Sequence, residues 1–178
     1  MRVVVLASLL VLALTATAAA VTSAADPSRL VLAKSDFPAG ARHDAISMEG
    51  NYTKALAAQG IKAKATGYSV LLDGKTNDET VNGSVTTTGS SSQAKKLFNL
   101  IKADPDYGPK PGSIVRLPAY GDDQWATYDK KNSKAGMYVR KGSVVWQLEV
   151  DLNLKTKAQT LAALQGYAAK QKRRVGSG

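Results

Sequence analysis

The chain of 178 residues has no cysteine and a single histidine. Without cysteine there is no disulfide and no lipid attachment at a cysteine, so stability rests on the core alone. Zinc takes three or four His, Cys or carboxylate ligands, and one histidine is too few to build such a site. A Ser–His–Asp arrangement would have to use His43, and no Gly-x-Ser-x-Gly elbow accompanies it. Ala41-Arg42-His43-Asp44 reads as a solvent-facing loop. Neither Gly-x-x-x-x-Gly-Lys-Ser/Thr nor Gly-x-Gly-x-x-Gly occurs, so ATP and NAD chemistry has no support. No cofactor, metal or catalytic residue is expected.

Two acidic stretches are candidates for chemistry. Asp104-Pro105-Asp106-Tyr107-Gly108 lacks the third oxygen ligand and the closing Glu of a calcium loop, and it reads as a turn. Asp122-Asp123 cannot act as a paired acid and base, because neighbours on a strand point to opposite faces. It reads as a turn with two solvated acids.

What the chain does have begins with export. Met1-Arg2 precedes an apolar run ending in small residues, the pattern of a secretory signal peptide. Cleavage is expected after Ser23-Ala24-Ala25, with Ala18-Ala19-Ala20 as the second position. The competing reading is an uncleaved anchor. The second half of the run is Ala and Thr, too weakly apolar for a good span. The expected organisation is a signal peptide over 1–25, a single α+β domain over 26–175 and a disordered tail over 176–178. The protein is placed in the cell envelope or secreted.

Gly136–Lys170 reads as strand, tight turn, strand, short connection and helix. Val144, Trp146, Leu148 and Val150 alternate with Val145, Gln147, Glu149 and Asp151, the period of a strand. Met137 and Val139 alternate on the strand before, and Gly142 suits the turn. Thr156 and Gln159 form a capping box ahead of Ala158, Leu161, Ala162, Leu164, Ala168 and Ala169. Gly67–Ala103 has the same layout. Tyr68, Val70 and Leu72 lead to a turn at Asp73-Gly74 and a return strand through Val81, Gly83 and Val85. Ser90 and Gln93 offer another capping box, and Ala94, Leu97, Phe98 and Ile101 line an amphipathic helix.

Two β-hairpin–helix units thus predict an α+β fold. It has a mainly antiparallel sheet of five or six strands, with two or three helices packed on one face. A further helix is expected around Met48, Tyr52, Ala55 and Leu56, ending at Gly60. Asp26–Asp44 reads as irregular, with Leu30-Val31-Leu32 as a short edge strand or a tether. Short strands are expected near Ile114 and over Gln124–Asp129. Tyr68, Tyr128, Tyr138 and Trp125 lie on these strands. They either line one binding face or cover the core edge with their hydroxyls in water.

Three places resemble secreted actinobacterial domains, among them lipoproteins and the extracellular sensor domains of receptor serine/threonine kinases. They are Leu32…Asp36-Phe37-Pro38-Ala39-Gly40, Tyr120-Gly121-Asp122, and Val139-Arg140-Lys141-Gly142-Ser143-Val144-Val145. The resemblance implies an antiparallel sheet covered by helices, with binding or sensing outside the cytoplasm and no catalytic residues. Many such domains have disulfides or a lipid anchor, and this chain has neither.

Charge is the remaining bulk property. The formal net charge is +10. After Asp151 there is no acid, while Lys155, Lys157, Lys170, Lys172, Arg173 and Arg174 follow. Solubility is one reading of this excess. The other is attraction of Lys170, Lys172, Arg173 and Arg174 to an anionic cell-envelope polymer or membrane surface; nucleic acid is not an expected partner. The functional expectation is an exported, non-catalytic binding or sensor-like domain. The alternative is a cell-wall hydrolase or another secreted enzyme.

Overall fold

The computed structural model describes residues 25–74, 79–110, 112–153 and 155–176. The expected signal peptide lies outside them through residue 24, as do residues 177–178 of the expected tail. The elements run β1 (Arg42–Ser47), α1 (Asn51–Ala58), β2 (Ala63–Leu71), β3 (Glu79–Thr88), α2 (Ser91–Ala103), β4 (Ile114–Val115), β5 (Asp123–Asp129), β6 (Lys134–Lys141), β7 (Val144–Leu152) and α3 (Lys157–Gly176). Gly176, read as the start of the tail, is the last residue of α3.

The fold class is α+β, as expected. The strands form one sheet in the order β1-β2-β3-β7-β6-β5-β4, every neighbour antiparallel. Among the described residues it has seven strands, against five or six from pattern alone. Both hairpins form where alternation and turn chemistry place them. Gly142 turns β6 into β7 at φ 56°, a left-handed conformation that glycine adopts without strain. The hairpins meet at the centre, where β3 pairs β7 and Val85 lies opposite Trp146.

Cross-strand partners share a face, so register sorts the side chains. Tyr68, Gly83, Leu148, Met137 and Ala126 form one row across five strands. α3 covers this face with Leu164, Ala168 and Val175 against Trp146, Leu148 and Val150. Val145, Tyr138 and Trp125 point the other way, and Leu56 of α1 and Ala94, Leu97 and Phe98 of α2 pack over them. The helices therefore divide between the two faces instead of sharing one. Alternation on β5, β6 and β7 places apolar or aromatic side chains on both sides, and one helical layer buries only one of them.

The residues before β1 complete the α3 face. Two single 3-10 turns, Pro27–Arg29 and Lys34–Asp36, lead Leu30, Leu32 and Phe37 into the core. Leu30–Leu32 is thus a tether. α3 fastens it: the buried Gln171 amide donates to the Leu30 carbonyl, and the Arg174 guanidinium binds the Asp36 carboxylate at 2.6 Å. His43 corrects the loop reading, because it lies within β1. Its ring stacks on Tyr68 with centroids 5.7 Å apart, and Nε2 donates to the Leu32 carbonyl at 3.1 Å.

The caps follow the sequence in one helix and half of another. Gln159 N donates to Thr156 Oγ1 at 3.3 Å, and Thr156 N donates to Gln159 Oε1 at 2.9 Å. At α2, Gln93 N donates to Ser90 Oγ, but Gln93 Oε1 takes Lys62 N across the chain at 3.1 Å. That bond ties the start of β2 to α2. The apolar stripe of α3 also shifts: Thr160, Leu164, Ala168, Gln171 and Val175 are buried, while Ala158 and Ala162 are exposed. Thr160 and Gln171 enter the core because each finds a backbone carbonyl to bind.

Candidate functional site

One face of the sheet carries a groove because its side chains shrink across the strands. The row opposite the α3 face runs Trp125, Tyr138, Gln147, Ser84, Gly67 and Ile46. Rings at one end and Ser84 and Gly67 further along leave space above β3 and β7. α2 lies over β6 and β7, α1 lies over β2, and the gap between them is a cavity of about 370 Å³.

Its walls are mostly apolar. α2 contributes Leu97, Leu100 and Ile101, α1 contributes Tyr52 and Leu56, and Met48 reaches in from before α1. The polar groups are few and placed. Tyr52 Oη lies 3.4 Å from Thr86 Oγ1, which fixes that ring against the floor. Tyr138 is held by stacking on Trp125 at 4.8 Å, and Phe98 meets Trp125 edge-on at 4.6 Å. Asp104 closes α2, where its Oδ1 accepts Asp106 N at 2.8 Å and Tyr107 N at 3.2 Å. Tyr107 stands at the rim, 65% exposed. The stretch read as a turn is indeed one, and it edges the cavity.

Burial in the cavity opposes ionisation of its phenols. Burial pushes the Tyr138 phenol up to about 12, with smaller contributions from Tyr107, Tyr52, Glu149 and Asp104. Burial also raises Tyr52, partly offset by its contact with Thr86. Among the described residues lining the cavity, Asp104 is the only charged one. The chain's single histidine sits on the other face of the sheet. Among the described residues no group of His, Cys, Asp and Glu is arranged to hold a metal ion.

The residues singled out from sequence fall elsewhere. Asp122 and Asp123 both bind Arg140, at 3.0 and 2.6 Å, and the Arg140 side chain is only 11% exposed. Asp122 Oδ2 also accepts Gly142 N at 2.9 Å, so the pair clamps the β6–β7 turn. These are bound acids, not solvated ones. Arg140→Ala leaves both half-exposed carboxylates without their cation, and we expect a loss of about 1–2 kcal/mol, read as a shift in the urea midpoint. An unchanged midpoint would contradict the clamp.

The basic cluster of α3 is split. Lys170 donates to the Asp36 carbonyl and lies over the Tyr167 ring, while Arg174 takes the Asp36 carboxylate. Lys172 donates to the Ala119 carbonyl at 3.2 Å, and Arg173 is exposed. Two of the four thus converge on Asp36 instead of facing outward together. The aromatic residues also separate: Tyr68 and Tyr128 belong to the α3 face, and Tyr138 and Trp125 to the groove face. Tyr52 carried no signal for a site in the sequence, and Asp104 and Tyr107 were weighed only as a calcium loop, because the gap they border is made by tertiary packing.

No family model and no curated protein matches the chain. Among solved structures it is similar to the extracellular domain of PknH from Mycobacterium tuberculosis, with a TM-score of 0.47 and 12% sequence identity, over 83% of this chain and 95% of that one.

Proposed function

We propose that the chain is an exported, non-catalytic binding domain of the cell envelope, sensor-like in kind, whose ligand site is the groove beneath α1 and α2. The observation that carries this reading is the cavity of about 370 Å³, mostly apolar in its walls and lined by Tyr52, Tyr107 and Tyr138. Small-molecule sites are concave and largely apolar, with a few placed polar groups, and occupy about 300–1,000 Å³. Export is supported by the signal-like pattern at Met1–Ala25. No helix among the described residues is long and apolar enough to cross a membrane.

The rival, a cell-wall hydrolase, needs a positioned acid and base within reach of one substrate. Asp104 alone among the described lining residues carries a titratable carboxylate. It already accepts two backbone N–H groups. That arrangement favours binding over turnover.

The test is a ligand-observed NMR screen of soluble fragments against the full-length chain and two groove variants. Ser84→Phe fills the floor, and Leu100→Arg charges the rim at an exposed position. Hits on the parent chain that are lost on both variants support the groove. Hits retained equally by both variants, or no hits at all, would contradict it.

A further inference from the structure

The groove is charged against the rest of the protein. The chain carries a net charge of +10, yet the described lining of this cavity contains no Lys or Arg and one carboxylate, Asp104. The same lining includes Tyr52, Tyr107 and Tyr138. Aromatic faces attract a cation through their quadrupole, and a carboxylate at the same site adds a full opposite charge. Of the Asp104 oxygens, Oδ1 is the one engaged by the turn it caps. Glu149 lies on the same face of β7 as Gln147 and Val145, two positions along from the floor. Lys134 pairs with it there at 3.9 Å, so Asp104 is the acid the groove offers.

Resting on the reading of the groove as the ligand site, we infer that its ligand is an organic cation. An ammonium or guanidinium head meets Asp104 and the tyrosine rings, and an apolar body lies against Leu97, Leu100 and Met48. Burial, the main cause of the raised Tyr138 phenol, penalises charge of either sign, while the smaller contributions of Glu149 and Asp104 act against negative charge alone. Every charged ligand meets that burial cost; a cation has Asp104 to offset it, and a carboxylate or phosphate has no lining cation among the described residues.

The test uses three small probes of similar shape. Benzyltrimethylammonium is the cation, neopentylbenzene its neutral isostere and benzenesulfonate the anion. Binding to the full-length chain is followed by methyl NMR shifts of Leu97, Leu100, Ile101 and Met48. The cation is expected to bind about tenfold more tightly than its isostere, with the anion weakest. Asp104→Asn keeps a side-chain carbonyl for Asp106 N and Tyr107 N, so the turn survives. It should weaken the cation about tenfold and leave the isostere unchanged. Tyr107→Ala, at an exposed rim position, should weaken the cation roughly threefold. If cation and isostere bind equally and Asp104→Asn changes neither, the groove stands as a site and the cation inference falls. Tighter binding of benzenesulfonate also overturns it. If no probe shifts the groove methyls, the groove reading falls and the inference with it.

Discussion

Replacing Trp146 with alanine is expected to lower the unfolding free energy by about 3–5 kcal/mol, the range for deleting a large buried ring. Trp146 lies on β7, the strand that joins the two hairpins, and is 1% exposed. Its backbone pairs with Val85 on one side and Val139 on the other, and its ring lies in the core beneath α3. A cavity at that point removes contacts from both halves of the sheet at once. Domains of this size have only about 5–15 kcal/mol to lose, so the variant should be part-unfolded at modest temperature. The indole Nε1 has no hydrogen-bond partner among the described residues. Trp146→Phe costs less than alanine, because both remove the unmet donor but phenylalanine keeps most of the buried ring volume. Urea unfolding of the two variants checks the order. Equal, small losses would mean that the centre of the sheet is not where stability resides.

The second large effect is alkaline unfolding. Burial raises the Tyr68 phenol far above its ordinary value, and Asp36 and Tyr167 add to the shift. Tyr138 is pushed up to about 12, and Tyr52 and Tyr167 are raised as well. In the unfolded chain each of these ionises near pH 10. Above about pH 10 the unfolded state therefore binds fewer protons than the folded one, and stability falls as pH rises. The contribution is fully present below about pH 10 and is lost as pH climbs through the folded values. Each tyrosine kept protonated by the fold removes about 1.4 kcal/mol per pH unit in that window. Tyrosinate absorbance should rise together with loss of the circular dichroism of the sheet.

Tyr68→Phe isolates the largest part of that effect. The Tyr68 hydroxyl is buried with no partner among the described residues, and the ring lies over Gly83, where a Cβ would overlap it. The variant should be neutral or up to about 1 kcal/mol more stable at neutral pH, since an unmet buried hydroxyl is lost. Its alkaline midpoint should also move upward. Phenols that all titrate near pH 10 in an intact fold would contradict the burial.

Much of the fold is written locally. The two hairpins, the Gly142 turn, the Thr156 cap and the amphipathic stripe of α2 are all patterns of a few adjacent residues. β1 is not, because Arg42–Ser47 is an edge strand, mostly exposed, with no clear alternation of apolar and polar residues to show it. The division of helices between faces depends on register. Only the chain of pairings from Tyr68 through Gly83 and Leu148 to Met137 puts Tyr138 on the opposite side. No single segment contains that information.

The motifs that carried the family resemblance prove to be joints. Asp36 receives Arg174 from α3, and Asp122 holds Gly142 and Arg140. Gly121 packs so close to the Arg140 carbonyl that a Cβ would overlap it. Short motifs of this kind record how distant segments fasten together. The groove residues come from α1, α2, β3, β6, β7 and the segments beside the two helices, which only tertiary packing brings together, so their spacing along the chain did not announce this site.

The central claim is that the groove between α1 and α2 holds a small molecule and releases it unchanged. Native mass spectrometry of the full-length chain, after exposure to a small-molecule extract of cell envelope, tests it most directly. The account predicts a non-covalent adduct on the parent chain, strongly reduced on Ser84→Phe, that is released at the mass it had in the extract. An adduct equal on both chains would contradict the site. Conversion of an extract component to a new mass, abolished by a single carboxylate substitution, would contradict the claim that the domain binds without catalysis.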